Sequence, residues 1–585
     1  MDPLAILVEN LTFRHLGADE PCISGASFQV ERGEFVLLLG PSGCGKSTLG
    51  LTLNGMVPQS IEGEYSGGVY IFGERAETTP TSRISQRVGI VFQDPESQFC
   101  MLTVNDELAF APENLNLPED EIRKRVQEAV DRVSIQHLLG RPVTALSGGE
   151  KQRLALASVL TLQPEILFFD DVTANLDPVG TAMVFETLRQ LRKSRDKTIV
   201  IVEHKVDELI DTVDRIIVLD DRSRVVTSGT PREAFYDTDP SVLRRLGIWI
   251  PEVVELALEL REAGFPDLAA HQPLTVGEAA TVLIRVLKAR ASHQWAEVVT
   301  PDPPGQGKDL AVQVDHLAFS YRGQEQPALI DANLAVRQGD FVAVVGPNGS
   351  GKSTLMKHLV GIIKPPSGRV FLYGADISRL PLRDIARRAG FVFQNPEHQI
   401  VTDDVYDELA YSLKRRGVDA DEIRERVHQA LELVRLEHAL DSNPFMLSGG
   451  EKRRLGVATM LIVGQDLLIL DEPTFGQDRS TADGLMALVN DLHEDGKTIV
   501  MVTHDMGLVA KYAREVVVVW NGRTPFRGSP RELFEQDDLL AETSLLPPPM
   551  FRLSKRLQES IPAYPTLMTV EAVRRSILEV CDGKA

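Results

Sequence analysis

Short, uninterrupted apolar runs alternate with longer amphipathic stretches along this chain of 585 residues. Phe35-Val-Leu-Leu-Leu39, Ile166-Leu-Phe-Phe169, Phe341-Val-Ala-Val-Val345 and Leu467-Leu-Ile-Leu470 are such runs. Four or five consecutive apolar residues fit strands buried on both faces, and their alternation with amphipathic segments predicts an α/β fold with parallel sheets. Pro251 to Leu260 has helical periodicity and precedes Leu274-Thr-Val-Gly-Glu278; Pro549 to Leu557 likewise precedes Met568-Thr-Val-Glu-Ala572. Each half is therefore expected to end in a small helical appendage.

The pattern repeats at long range. Lys46 and Lys352 are 306 positions apart, Gln93 and Gln394 301, Ser147 and Ser448 301, Asp170 and Asp471 301, and His204 and His504 300. So constant an offset means two duplicated domains, each with its own core. Pro301-Asp-Pro-Pro-Gly-Gln-Gly-Lys308 is the linker candidate, since proline removes backbone donors and glycine removes stiffness. The expected layout is a first domain over 1–245, an appendage over 246–300, the linker over 301–308, a second domain over 309–545 and a second appendage over 546–585.

Two of the strands run into the pattern G-x-x-x-x-G-K-[ST]. The segments are Gly40-Pro41-Ser42-Gly43-Cys44-Gly45-Lys46-Ser47-Thr48 and Gly346-Pro347-Asn348-Gly349-Ser350-Gly351-Lys352-Ser353-Thr354. Small residues let consecutive N–H groups curl around a phosphate, the lysine reaches the β/γ oxygens, and the serine hydroxyl ligates Mg²⁺. The other two strands end on Asp170 and Asp471, at the sheet edge where such folds bind ligands, and these carboxylates are candidates to hold the Mg²⁺ shell with Ser47 and Ser353. The bland reading of either aspartate is the start of a turn. Leu146-Ser147-Gly148-Gly149-Glu150 and Leu447-Ser448-Gly449-Gly450-Glu451 open helix-like runs, and their glycine N–H groups are candidates for a phosphate; a plain helix cap is the alternative.

Taken with Gln93, Gln394, His204 and His504, these segments resemble the nucleotide-binding domains of ABC-type ATPases over nearly all of both halves. The resemblance implies two tandem P-loop NTPase domains, each with a helical subdomain. It also implies a head-to-tail pseudo-dimer that sandwiches ATP between the cradle of one half and the Leu-Ser-Gly-Gly-Glu segment of the other. One site would use Lys46, Ser47, Gln93, Asp170 and His204 with Ser448, Gly449 and Gly450; the other would use Lys352, Ser353, Gln394, Asp471 and His504 with Ser147, Gly148 and Gly149. Tyr321 matches the aromatic that stacks on adenine, and His15 stands at its place in the first half.

The halves differ where hydrolysis is decided. Asp471 is followed by Glu472, which the resemblance makes the base for the attacking water, whereas Asp170 is followed by Asp171. The first carboxylate is one methylene shorter, roughly 1.5 Å less reach, and misplacement on that scale can cost about 10²-fold. The first site is expected to bind ATP and hydrolyse it more slowly, unless backbone adjustment or a bridging water restores the geometry.

The segments after the glutamines, Asp94-Pro-Glu-Ser-Gln-Phe-Cys-Met-Leu-Thr-Val-Asn-Asp-Glu-Leu-Ala-Phe110 and Asn395-Pro-Glu-His-Gln-Ile-Val-Thr-Asp-Asp-Val-Tyr-Asp-Glu-Leu-Ala-Tyr411, resemble those of energy-coupling factor (ECF) importer ATPases, a group that includes cobalt and vitamin types. This implies partners: a transmembrane T component docking here, and an S component that binds substrate. Phe99, Met101, Ile400 and Val401 are the apolar candidates for that contact, against the reading that they are core.

Composition agrees with a peripheral protein on the cytoplasmic face of a membrane. Met1-Asp-Pro-Leu shows no basic or apolar leader pattern, and Val516-Val-Val-Val-Trp520 is far too short to span a bilayer. A net charge of −22 disfavours nucleic acid, and four scattered cysteines suit a reducing compartment. A ribosome-associated duplicated ATPase is the main alternative, and an ATPase of another importer class is a third reading. Cys44, inside the first cradle where the second has Ser350, is either a tolerated small residue or, with a depressed thiol pKa, a redox switch. The acidic clusters Glu119-Asp-Glu121 and Asp403-Asp404 read as solvated faces or helix starts.

Overall fold

The computed structural model describes residues 4–174, 176–204, 206–290, 309–323 and 326–582. The linker expected at 301–308 and the last ten residues expected in the first appendage lie outside them. The chain divides into two compact units, Met1–Val286 with Asp478–Ser480, and Leu287–Gln477 with Thr481–Ala585.

In the first unit a six-stranded sheet runs in the order Val225–Gly229, Arg215–Leu219, Phe35–Leu39, Thr198–Val202, Ile166–Asp170, Val88–Val91. The last five strands are parallel and Val225–Gly229 is an antiparallel edge. Phe35–Leu39, Ile166–Asp170 and Thr198–Val202 are buried at every position, as the unbroken apolar runs require. A separate antiparallel sheet, in the order Ile23–Glu31, Leu4–His15, Gly63–Ile71, Glu74–Arg75, shares a core with the helix Lys46–Leu53.

The second unit repeats the parallel core as Glu515–Trp520, Phe341–Val345, Thr498–Val502, Leu467–Asp471, Ala389–Val392. Here the antiparallel strands join the same sheet, ten strands in all, through one parallel pairing of Asp331 with Arg523. The antiparallel layer is a feature that the apolar runs did not predict.

Each unit also carries a helical segment. In the first it comprises Val104–Asn114, Glu119–Val133 and Gly148–Leu160; in the second, Val405–Arg415, Ala420–Val434 and Gly449–Leu461. Both acidic clusters lie at helix starts: Glu119, Asp120 and Glu121 form a first turn, and Asp404 caps its helix by accepting from Asp407 N. Beyond each nucleotide domain lies a helix pair, Glu252–Glu262 with Val276–Arg290 and Pro549–Ser560 with Val570–Asp582. Val253, Val254, Leu256 and Leu260 bury one face of the first pair; Met550, Phe551, Leu553 and Leu557 do so in the second. Among the described residues no helix is long and apolar enough to cross a membrane.

Candidate active site

Each parallel sheet delivers its functional groups at the carboxyl ends of its strands. Phe35–Leu39 leads through residues 40–45 into the helix Lys46–Leu53, and Phe341–Val345 leads through 346–351 into Lys352–Leu359. Gly45 and Gly351 cap these helices at φ 94° and 109°. A Cβ there would lie 2.5 Å from the Cys22 carbonyl oxygen or 2.6 Å from that of Ala328, so conformation and close backbone approach both require glycine. The lysines are buried within their loops. Lys46 Nζ donates to the carbonyls of Gly40 (2.8 Å) and Pro41 (2.6 Å), and Lys352 Nζ to those of Gly346 (2.7 Å) and Pro347 (2.8 Å).

The next residue of each helix donates its hydroxyl across to the neighbouring strand: Ser47 to Asp170 and Ser353 to Asp471. Burial raises both carboxyls above their usual range. Asp471 is pushed up to about 6, with the Ser353 hydrogen bond opposing the shift and the charge of Glu472 adding to it. Thr48 hydrogen-bonds Cys22, and Thr354 Oγ1 lies 3.2 Å from Tyr321 Oη. Tyr321 packs edge-on against Phe319, and His15 against Phe13, each with centroids 4.9 Å apart. The two rings thus pack alike on the phenylalanine two positions before them.

Asp171 and Glu472 follow the strand aspartates in the left-handed region, at φ 46° and 51°. Their amides donate to the carbonyls of Val202 and Val502, each at 2.9 Å. The amides are thus anchored alike in both halves, while the carboxylates meet different partners. Glu472 Oε1 lies 3.0 Å from His504 Nδ1; a carboxylate only accepts, so Nδ1 carries the proton. Asp171 Oδ2 instead accepts from Gln93 Nε2 at 3.0 Å. Gln394 is exposed. Burial and the charge of Lys46 push His204 down to about 4, so its ring is neutral at pH 7.

Ser147 and Ser448 each form a capping box with Glu150 or Glu451, so the bland reading of these serines as caps is realised. Gly148, Gly149, Gly449 and Gly450 occupy the first turns that follow, where helix N–H groups have no intrahelical acceptor. Cys44 is 2 % exposed, and burial pushes its thiol up despite the nearby Lys46. This is opposite to the depressed thiol pKa that a redox switch needs.

Two contributors escaped the motifs. Glu203, just before His204, is 2 % exposed and accepts from Thr173 Oγ1 (2.8 Å) and His204 N (3.3 Å). Thr503 occupies its place in the second half and accepts from Asp505 N at 3.0 Å. Arg453 is buried and donates to the carbonyls of Glu472 and Phe475. Its sequence signal is a single departure, Arg453 where the first half has Gln152, inside otherwise matching Leu-Ser-Gly-Gly-Glu-Lys segments.

The segments after the glutamines share one construction. Glu107 is buried, and its Oε2 accepts from the amides of Cys100 (2.9 Å) and Met101 (2.8 Å). Buried Glu408 does the same for Val401 (3.0 Å) and Thr402 (2.9 Å). With its amides turned inward to the carboxylate, each loop leaves apolar side chains outward. Leu102 is 82 % exposed and Val401 64 %, while Phe99, Met101 and Ile400 are half-buried. None of the four candidate contact residues belongs to the closed core.

The family model described as ABC transporter matches residues 23–174 and 329–475. The chain is 37 % identical over 559 residues to "Putative HMP/thiamine import ATP-binding protein YkoD" of Bacillus subtilis (strain 168), covering 95 % of this chain and 97 % of the relative. It is 37 % identical over 555 residues to "Putative ABC transporter ATP-binding protein TTE1589" of Caldanaerobacter subterraneus subsp. tengcongensis, covering 94 % and 96 %. A solved structure of cbiO1 from Clostridium perfringens, described as part of the ABC transporter complex cbiONQ, is 33 % identical with a TM-score of 0.37, covering 41 % of this chain and 96 % of its own. The chain belongs to the ABC transporter family, as an ATP-hydrolysing transport ATPase with two fused ABC domains.

Proposed function

We propose that this chain is the energy-coupling ATPase of an ECF-type importer, bound at the cytoplasmic face of the membrane. It would drive uptake of a vitamin, a vitamin precursor or a transition-metal ion through a T component and an S component. The observation that carries the reading is the pair of glutamate-braced loops presenting Leu102 and Val401 outward, next to Phe99, Met101 and Ile400. Rigid loops with exposed apolar side chains suit a partner's helix better than solvent. The printed name of the Bacillus subtilis relative, an HMP/thiamine import protein, supports a vitamin-class cargo. The proposed layout is two nucleotide domains (1–245 and 309–545) with helical appendages (246–300 and 546–585) and a linker at 301–308.

In this reading ATP lies between the cradle of one half and the Ser-Gly-Gly segment of the other, and fusion of the halves keeps their effective concentration high. Lys46 and Lys352 exchange loop carbonyls for β/γ-phosphate oxygens, which are stronger, charged acceptors. Tyr321 stacks on adenine. No cluster of three or more metal-ligating side chains occurs among the described residues. The hydroxyl–carboxylate pairs Ser47–Asp170 and Ser353–Asp471 are hard-oxygen donors that fit Mg²⁺ arriving with the nucleotide. The ion would neutralise phosphate charge. Glu472 takes the proton of the attacking water, and His504 orients that carboxylate through its Nδ1 hydrogen.

Docking is tested at the loops. Phe99→Asp together with Val401→Asp is expected to lower the membrane-bound fraction of the chain about tenfold or more, the scale of losing central interface residues. ATP affinity should be unchanged, because neither side chain lines a cradle. Full sedimentation of the double variant with membranes would overturn the proposed contact.

A further inference from the structure

In the second half Arg453 braces the turn that carries the acid, and in the first half Gln152 stands at the same place. Glu472 sits at φ 51°, a conformation that a non-glycine residue keeps only where its surroundings over-determine it. Its amide donates to Val502 O, its carboxylate meets His504, and its own carbonyl accepts from Phe475 N at 3.2 Å. That carbonyl also accepts from Arg453 Nη1, while Arg453 Nη2 donates to Phe475 O at 2.9 Å. One guanidinium thus holds both ends of the turn 472–475 from the helix Gly449–Leu461, whose start is the Ser-Gly-Gly segment. In the first half Gln152 takes this place, and its amide donates to Phe92 O at 3.2 Å, beside Gln93. The two halves spend the same helical position on different loops.

We infer that Arg453 is a positioning residue for Glu472, fixing the carbonyl and hence the direction in which the acid leaves the backbone. Arginine suits the task, since a planar fork with fixed donors constrains two carbonyls at once and a lysine constrains one. Arg453 is 5 % exposed and points its donors at main-chain oxygens, with its charge also felt by the Glu472 carboxylate. Its hydrogen bonds act on the backbone from which the base is aimed. The inference rests on the reading of Glu472 as that base, and it adds a second difference between the halves to the length of the acid.

Arg453→Gln installs the residue of the first half and keeps the helix. It is expected to lower kcat for ATP about tenfold, as misplacement of a catalytic group does. KM should stay within about twofold, because binding contacts are untouched. Arg453→Lys, which keeps one donated bond, should give an intermediate kcat. In a Glu472→Gln chain the Arg453→Gln change should produce no further loss, since there is no longer a base to aim. Wild-type kcat in a folded Arg453→Gln chain, or an equal proportional loss with and without Glu472, would overturn the inference. If Arg453→Gln does not fold, wild-type kcat in Arg453→Lys overturns it instead. The underlying reading fails separately, if Glu472→Gln leaves ATPase activity intact.

Discussion

Glu472→Gln lowers steady-state ATPase activity by about 10²-fold or more, the usual scale for loss of a general base, while Asp171→Asn lowers it less than about tenfold. The difference follows from geometry shared and geometry not shared. Asp171 and Glu472 adopt the same left-handed conformation and make the same 2.9 Å amide bond to the adjacent strand, so neither of these features compensates for the missing methylene. Their partners confirm that the two carboxylates end in different surroundings: Glu472 meets His504, and Asp171 is held by the side-chain amide of Gln93. A shorter acid tied to Gln93 is aimed differently from a longer one oriented by histidine. Measuring kcat for both single variants decides the matter, and Asp171→Glu should raise the first-site rate. Comparable losses from Asp171→Asn and Glu472→Gln would contradict the asymmetry, and would favour a bridging water as the means by which Asp171 acts.

Lys352→Ala weakens ATP binding at its own cradle by about 10- to 10²-fold, the value of hydrogen bonds to a charged partner of about 1.5–3 kcal/mol. The ammonium is already buried and aimed, donating to two loop carbonyls at 2.7 and 2.8 Å, so little ordering remains to be done when phosphate oxygens replace them. Lys46→Ala should do the same in the first half, where the donor set matches. Calorimetric titration with a slowly hydrolysed ATP analogue is expected to show two tight sites in the wild-type chain and one in either variant. Two unaltered sites in Lys352→Ala would remove the lysine from the phosphate contact. Thermal unfolding should accompany the titration, because the carbonyls of Gly346 and Pro347 lose their donor together with the ligand.

Much of this architecture was legible because it depends on local order. Fully buried strands read as unbroken apolar runs, and the cradles read as glycines that Gly45 and Gly351 show to be obligatory by conformation and by contact. The antiparallel layer was illegible for a physical reason. Leu4–His15 pairs on both sides but shifts register between Val8 and Leu11, so the period-two alternation that marks a half-buried strand is interrupted.

Pairings across long separations were equally hidden. Gln93 and Asp171 are distant in sequence and meet because Val88–Val91 and Ile166–Asp170 are neighbouring strands. Arg453 and Glu203 each look like ordinary substitutions until the turn they hold is seen. After His504, Asp505 caps the helix Met506–Tyr512 by accepting from Gly507 N and Leu508 N. After His204 the sequence has Lys205, which cannot accept, and residues 207–212 form turns. That local difference is legible in the two residues alone.

The two ATPase halves are proposed to work through membrane partners. The most direct measurement is to purify the tagged chain from membranes in mild detergent and identify what comes with it by mass spectrometry. A polytopic T-like protein together with a small S-like membrane protein is expected, both lost from the Phe99→Asp, Val401→Asp chain. Recovery of ribosomal proteins with no membrane subunit would contradict this reading.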